Sequence, residues 1–390
     1  MKSKILLPII TAALSMSMFA ACSDDSSSPS NPTVNPDNPV VDPSNPEIDP
    51  NTPVVDPNNP VVDPNAPVVD PNTPVVDPNT PVVDPNTPVV NPNTPTVELD
   101  PDAPKDANGK ITSKIFDDSG LAKLPNNDTV HVDNKSDYNY YGAELSGKDQ
   151  FTYGRFEARM KMASISGSVS SMFLYYDNSY MLEDEPWNEI DIEVLGRNPG
   201  QWQSNIITRY PNEEGQKAHK NITSEYIHQF GDNSTENFHL FGMIWTPEYI
   251  AWEIDSVEIR RDYYGQTRTE KNGPEQDQVA FMTMEQSLRF NLWSSASTGW
   301  VGKFTGGELA DGPVEQLIDY VRVYDYDPAT KGFVLNWQDD FDGDALDKAR
   351  WKTGNWKMEN VMLSPNNVVV ADGYCKLLLS RVLKTEDTAK

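Results

Sequence analysis

The sequence predicts an all-β protein, an antiparallel sandwich or barrel behind a long non-globular leader. Three observations carry that expectation. From Tyr138 onward, apolar and polar residues alternate with period two over short runs, the pattern of strands with one buried face. No long stretch sustains the 3.6-residue period of an amphipathic helix. The composition is also split: residues 23–110 hold 22 of the 32 prolines and no aromatic residue, whereas all nine tryptophans lie between Trp187 and Trp356. One part cannot build a core and the other is well supplied to build one. The 390 residues are therefore expected to contain a single folded domain of roughly 250.

Charge narrows the partners. The formal net charge is −28. Residues 23–110 contribute −13 (15 acids, two lysines) and residues 111–390 contribute −17 (44 acids, 27 bases). Two acidic halves argue against nucleic acid, which needs a basic face, and against a polybasic membrane patch. A neutral partner fits better. Two cysteines, Cys22 and Cys375, exclude a disulfide scaffold and a cysteine zinc site. His131, His219, His228 and His239 show no HxxxH spacing.

At the N-terminus, Lys2 and Lys4 precede an apolar run from Ile5 to Ala21, a charged n-region and an h-region. The run ends Phe19-Ala20-Ala21-Cys22, which is similar to the lipobox of bacterial lipoproteins except that Phe19 stands where Leu is usual. An ordinary signal peptide is the alternative. Residues 1–21 are thus expected to be a lipoprotein-type signal peptide, with Cys22 lipidated and Cys375 a lone core thiol.

Residues 22–136 are expected to form a spacer and an irregular lead-in. The unit Pro-Val-Val-Asp-Pro-Asn-Thr recurs with prolines at 53, 60, 67, 74, 81 and 88. Two prolines per repeat forbid a helix, and each pushes its predecessor towards extended geometry. Aspartates repel along the strand, so a stiff, acidic, disordered spacer follows. It should add nothing to stability, because it buries no apolar surface.

Strands follow in the folded part. Tyr153 to Met162, Ile190 to Val194 and Tyr320 to Tyr324 alternate with period two, and Val368 to Ser380 reads as a hairpin. The most informative segment is Trp187-Asn188-Glu189-Ile190-Asp191-Ile192-Glu193-Val194-Leu195-Gly196. Alternation puts Glu189, Asp191 and Glu193 on one face and Ile190, Ile192 and Val194 on the other. Three acids in a row repel and cost stability, so a purely structural role accounts for them poorly. Glutamates four apart have Cα atoms about 13 Å apart, and leaning side chains close that towards the roughly 5–5.5 Å carboxyl separation of a retaining glycosidase. A calcium cluster and a plain solvated face are the competing readings. Sugar rings stack on aromatic faces, and Phe173, Tyr175, Trp187, Trp293 and Trp300 stand close to this or to similar strands.

At Glu189-Ile190-Asp191-Ile192-Glu193 the sequence resembles glycoside hydrolase family 16, and within it the licheninases, endo-β-1,3-1,4-glucanases of concanavalin-like jelly-roll fold. The resemblance spans residues from about 138 to 383, including Gly154 to Met162, Ser170 to Tyr175, Gln203 to Ile207, Trp245-Thr246-Pro247 and Arg289 to Trp293. The segment from Asp339 through Trp351 to Arg381 looks like the beginning of the family domain, yet it stands at the end. That order resembles the circularly permuted licheninases of rumen bacteria. Residues 137–385 are then the catalytic jelly roll.

The resemblance implies Glu189 as nucleophile, Asp191 as assisting carboxylate and Glu193 as acid/base. It implies substrate contacts at Glu144, Phe173, Tyr175, Trp187, Gln203, Asn205, Tyr249, Arg289, Asn291, Trp293, Trp300 and Trp356. It implies no cofactor for the chemistry. A structural calcium is expected at Asp319 and at the backbones of Asp340 and Gly373. The expected function is a secreted, lipid-anchored retaining endo-β-glucanase, monomeric, acting on mixed-linkage β-1,3-1,4-glucan at the bacterial outer membrane or cell surface. The membrane enters only through the lipid on Cys22. The alternatives are a xyloglucanase or β-1,3-glucanase of the same family, or a non-catalytic surface glycan-binding protein. The segments Tyr210 to Glu236 and Asp262 to Met284 look longer than in compact licheninases, and rim loops commonly set binding.

Overall fold

The computed structural model describes residues 97–116, 131–132, 135–181, 184–211, 219–230, 235–269 and 275–387. The signal peptide, Cys22 and the proline repeat lie outside the described residues.

In chain order the strands are β1 (Lys114–Ile115), β2 (Tyr138–Gly147), β3 (Gly154–Lys161), β4 (Ser168–Tyr175), β5 (Trp187–Leu195), β6 (Gln201–Arg209) and β7 (Ile222–Thr223). Next come β8 (Tyr226–Gln229), β9 (His239–Trp245), β10 (Tyr249–Ile254), β11 (Val257–Tyr263), β12 (Thr267–Thr269), β13 (Glu275–Asp277) and β14 (Ser287–Ser294). The last are β15 (Val314–Asp327), β16 (Gly332–Asp339), β17 (Trp351–Thr353), β18 (Lys357–Met358), β19 (Val361–Leu363), β20 (Val368–Ala371) and β21 (Tyr374–Leu383). Three single-turn helices, Asn178–Met181, Gln278–Phe281 and Thr298–Val301, serve as connectors.

Most strands form two antiparallel layers, a jelly-roll-type sandwich, and β19 joins β2 in parallel. The first sheet runs β17–β2–β14–β4–β5–β6, with β7 and β8 on the far edge of β6. The second runs β1–β11–β10–β9–β3–β15, and β15 then pairs with β16 along one half and β21 along the other. Alternation decides what lies between them. Ile190, Ile192, Val194, Met172, Phe290 and Leu292 from the first sheet meet Phe156, Met160, Met243, Trp252 and Val323 from the second in one core cluster. Cys375 is fully buried in it, and burial pushes its thiol far above the ordinary range. The strand β5 stops at Gly196, where an added Cβ would lie 1.7 Å from the Ile165 carbonyl oxygen. Only glycine permits that approach.

The two ends of the domain meet. β21 leaves the second sheet and pairs with the start of β2, Leu383 opposite Tyr138 and Ser380 opposite Tyr141. The Lys384 amide donates to the Asp137 carbonyl at 2.9 Å.

Residues 97–116 differ from the irregular lead-in expected of them. They form a strap on the second sheet. β1 pairs with β11, Lys114 opposite Arg261, and Ala103 and Ile111 bury themselves against Tyr263. Ser113 Oγ accepts from Gln266 Nε2 at 2.9 Å and Arg268 Nη2 at 3.0 Å. The strap escapes a periodicity search because its two apolar anchors are isolated among polar residues. A chain beginning at residue 97 is expected to melt like the full-length protein, and one beginning at residue 117 several degrees lower. Uncovering Ile111 and its neighbours costs about 2–3 kcal/mol, and each kcal/mol moves the midpoint by about 2–4 °C. Equal midpoints in calorimetry would show that the strap carries no stability.

Candidate active site

The first sheet turns one face away from the core, and its register lines up the polar residues there. Because opposed residues in an antiparallel pair share a face, the cross-strand partners read as rows. In one row Ser287, Tyr175, Glu189 and Ile207 stand side by side; in the next, Ser146, Arg289, Phe173, Asp191 and Asn205. The third row holds Glu144, Asn291, Ser171, Glu193 and Gln203. Five strands, β2, β4, β5, β6 and β14, thus deliver seven of the expected substrate contacts and the ladder itself to one surface. Ile190, Ile192 and Val194, facing the core, are fully buried.

Each carboxylate has its own partner. The Trp187 indole Nε1 donates to Glu189 Oε2 at 2.7 Å. Gln203 Nε2 donates to Glu193 Oε2 at 2.8 Å, and its own Oε1 accepts from Trp300 Nε1 at 3.4 Å. Asp191 lies between and hydrogen-bonds to Glu189. Burial and mutual repulsion act on all three. Burial raises Glu189 to about 7, opposed by the Trp187 and Asp191 hydrogen bonds. Burial and the charge of Glu189 raise Glu193 to about 8. Burial and both flanking glutamates hold Asp191 well above the ordinary carboxylate range. Both glutamates are thus held well above the ordinary carboxylate range, which suits a site that must keep a proton on one of them.

The sign for stability follows. Raised folded-state values mean that the ladder's contribution is complete below the ordinary glutamate value of 4.5 and is lost as pH rises through about 7 and 8.

Around the ladder the aromatics form a wall. The Phe173 and Tyr175 rings lie 6.2 Å apart, Tyr175 and Trp187 5.8 Å, and Trp293 and Trp300 6.3 Å. Trp356 is 43% exposed and lies beside Glu144 through Gly354, whose added Cβ would contact both. Arg289 reaches Glu144 Oε1 at 3.3 Å, covers the Tyr175 ring at 4.8 Å and pairs with Asp177. Burial raises Glu144 against the pull of Arg289. At Asp177 burial is outweighed by Arg289 and Lys352, which hold it low.

Tyr249 is the exception among the expected contacts. It opens β10 in the second sheet, opposite Tyr263, with the Arg261 guanidinium 3.8 Å over its ring. Its sequence neighbourhood matched, but pairing with β11 carries it to the other layer. Asp319, Asp340 and Gly373 do gather where β15 passes from β16 to β21. Asp319 Oδ2, however, is taken by Arg159 Nη1 at 2.6 Å, and among the described residues no three acidic, histidine or cysteine side chains cluster for a metal.

Sequence reasoning missed the support behind the ladder. Trp252, on the second sheet, donates its Nε1 to the Asp191 carbonyl at 2.9 Å. Arg260 is fully buried between the rings of Trp252 (4.3 Å) and Tyr226 (4.4 Å). It pairs with Asp262 at 2.5 Å and donates to the Ser204 carbonyl at 3.1 Å. Two adjacent arginines in Val257 to Tyr263 were the available signal: alternation requires one of them to face the core.

The chain is similar to known proteins. The pattern of glycosyl hydrolases family 16 matches residues 112–302. A beta-glucanase of Fibrobacter succinogenes is 42% identical over 254 residues, 64% of this chain and 66% of its own. A beta-glucanase of Acetivibrio thermocellus is 29% identical over 56% of this chain and 57% of its own. A solved prokaryotic beta-1,3-1,4-glucanase (lichenase) from a mouse hindgut metagenome is 24% identical, covering 55% of this chain and 98% of that one with a TM-score of 0.35. The chain spans less than two thirds of the length of each of these two beta-glucanases.

Proposed function

This chain carries a glycoside hydrolase family 16 domain, and from that premise we propose that it is a retaining endo-β-glucanase of mixed-linkage β-1,3-1,4-glucan. The observation that carries the reading is the ladder: three carboxyls in line on one strand, with Glu189 held by Trp187 and Glu193 by Gln203. In the first step the Glu189 carboxylate attacks the anomeric carbon while Glu193 gives its proton to the departing glycosidic oxygen. An ester to Glu189 forms and the glycosidic bond breaks. Glu193, now ionised, removes a proton from water, whose oxygen attacks the same carbon and releases Glu189. Asp191 hydrogen-bonds to Glu189 and keeps a negative charge from accumulating on all three groups. Trp187 and Gln203 hold the two glutamates in place. The aromatic wall supplies stacking surfaces for a neutral chain.

The regular form of β5, paired with β4 and β6 without a bulge from Glu189 through Glu193, favours by family resemblance a licheninase or xyloglucan-type member over a β-1,3-glucanase. A circular permutation is supported by the hydrogen-bonded ends at Asp137 and Lys384 and by β15 to β21 completing both sheets beyond residue 302. Phe19-Ala20-Ala21-Cys22 supports a lipid anchor; Cys22→Ser should move activity from the membrane fraction to the medium, and wholly soluble wild-type activity would overturn it.

The test of function is product analysis on lichenan, laminarin and xyloglucan, followed by NMR. Lichenan should be the preferred substrate and the first-formed anomer should be β; an inverted first product removes the nucleophile assignment. The pH profile checks the ladder independently. kcat/KM should rise as Glu189 ionises near 7 and fall as Glu193 loses its proton near 8. The two limbs belong to the coupled ladder rather than to either residue alone.

A further inference from the structure

On the outer side of the second sheet, the strap and the ends of three strands line an open pocket of about 360 Å³. That size lies within the range of roughly 300–1,000 Å³ typical of small-ligand sites. Its walls include Tyr249, Arg261, Tyr326, Lys331 and, from the strap, Glu98 and Asp100. Arg260 points into the core, so Arg261 stands on the outer face. The pocket is therefore on a different sheet from the carboxylate ladder.

The lining is pre-organised. Glu248 accepts from the Tyr326 hydroxyl at 3.2 Å and is 2.9 Å from Lys331 Nζ. Arg261 Nε donates to Glu258 at 2.8 Å while its guanidinium covers one face of Tyr249 at 3.8 Å. Glu98 and Asp100 also act on Lys331, whose ammonium is held above its ordinary value first by Glu248. Three lining carboxylates, at Glu98, Asp100 and Glu248, thus face two cations, one of which, Arg261, is also paired with Glu258. That excess rejects phosphate, sulfate and uronate. The paired ammonium and guanidinium occupy the place a free cation would take. Two tyrosines beside fixed donors and acceptors suit a neutral polyhydroxylated ligand, whose C–H faces pack on rings and whose hydroxyls meet the charged groups.

We propose that this pocket is a second, non-catalytic binding site for a neutral saccharide, a short segment of the glucan itself. The proposal rests on the glucanase reading for the identity of the saccharide. One wall, Glu98 to Pro101, belongs to the strap. A second attachment raises the local concentration of chain at the first without new contacts there.

The test uses the full-length protein with Glu189→Gln, which keeps the probe intact, and a mixed-linkage β-glucan tetrasaccharide in calorimetry. Two classes of binding event are expected. Lys331→Glu should remove one class and reduce retention on insoluble β-glucan by about fivefold or more. Lys331 side-chain exposure is 70%, so this change does not threaten folding; Tyr326→Ala, checked by its melting midpoint, should do the same. In the active chain both should leave kcat/KM on a soluble oligosaccharide unchanged. A single class of sites in Glu189→Gln, or two classes unaffected by Lys331→Glu, overturns the pocket. Failure of the wild-type chain to hydrolyse any β-glucan overturns the glucanase reading instead, so the two failures are distinguishable.

Discussion

Glu189→Gln is expected to lower hydrolysis of lichenan by about 10⁴-fold or more, the scale seen when a covalent nucleophile is removed. Glucan binding should persist, because the aromatic wall and Arg289 do not depend on the Glu189 charge. Glu193→Gln acts differently. A glutamine still accepts and donates hydrogen bonds beside Gln203, but it has no proton to give the leaving oxygen. The loss should reach about 10²–10⁴-fold on natural glucan, in the range of general acid–base catalysis. It should shrink on an aryl glycoside whose leaving group departs unprotonated. The alkaline limb of the pH profile should vanish in the same variant. Steady-state kinetics on the two substrate types separate the roles: equal losses on both would show that Glu193 is not the proton donor.

Arg260→Ala should give the largest loss of stability. The guanidinium is fully buried, clasps Asp262, bonds to Ser204 and Ser224, and fills the space between Trp252 and Tyr226. Removing it leaves the Asp262 carboxylate buried without its cation, which typically costs about 3–5 kcal/mol. For a domain of this size that lowers the midpoint on the order of 10 °C. Arg260→Met with Asp262→Leu should recover most of the loss, because replacing a buried pair by apolar groups is far cheaper than breaking it. A fall of only a degree or two in Arg260→Ala would show that water reaches Asp262 and that the pair is not a core element.

The ladder was legible in the sequence because a strand's side-chain period is two. Once Ile190, Ile192 and Val194 are assigned to the core, Glu189, Asp191 and Glu193 have only one other face to occupy. The same logic reached Arg289 and Asn291, which alternate with Phe290 and Leu292. The class of fold, the separation of a proline-rich leader from an aromatic-rich domain, and a buried Cys375 follow from composition and local pattern in the same way. Tertiary structure alone decided which strand lies beside which. It placed Glu144 and Gln203 in one row with Glu193, and it sent Tyr249 to the opposite layer. It brought Trp252 through the core to the Asp191 carbonyl, closed Arg159 on Asp319, and laid residues 97–116 along β11. Each of these depends on pairing between segments distant in the chain. Local periodicity tells a residue which side of its own strand it occupies, and carries no information about the neighbour that strand finds.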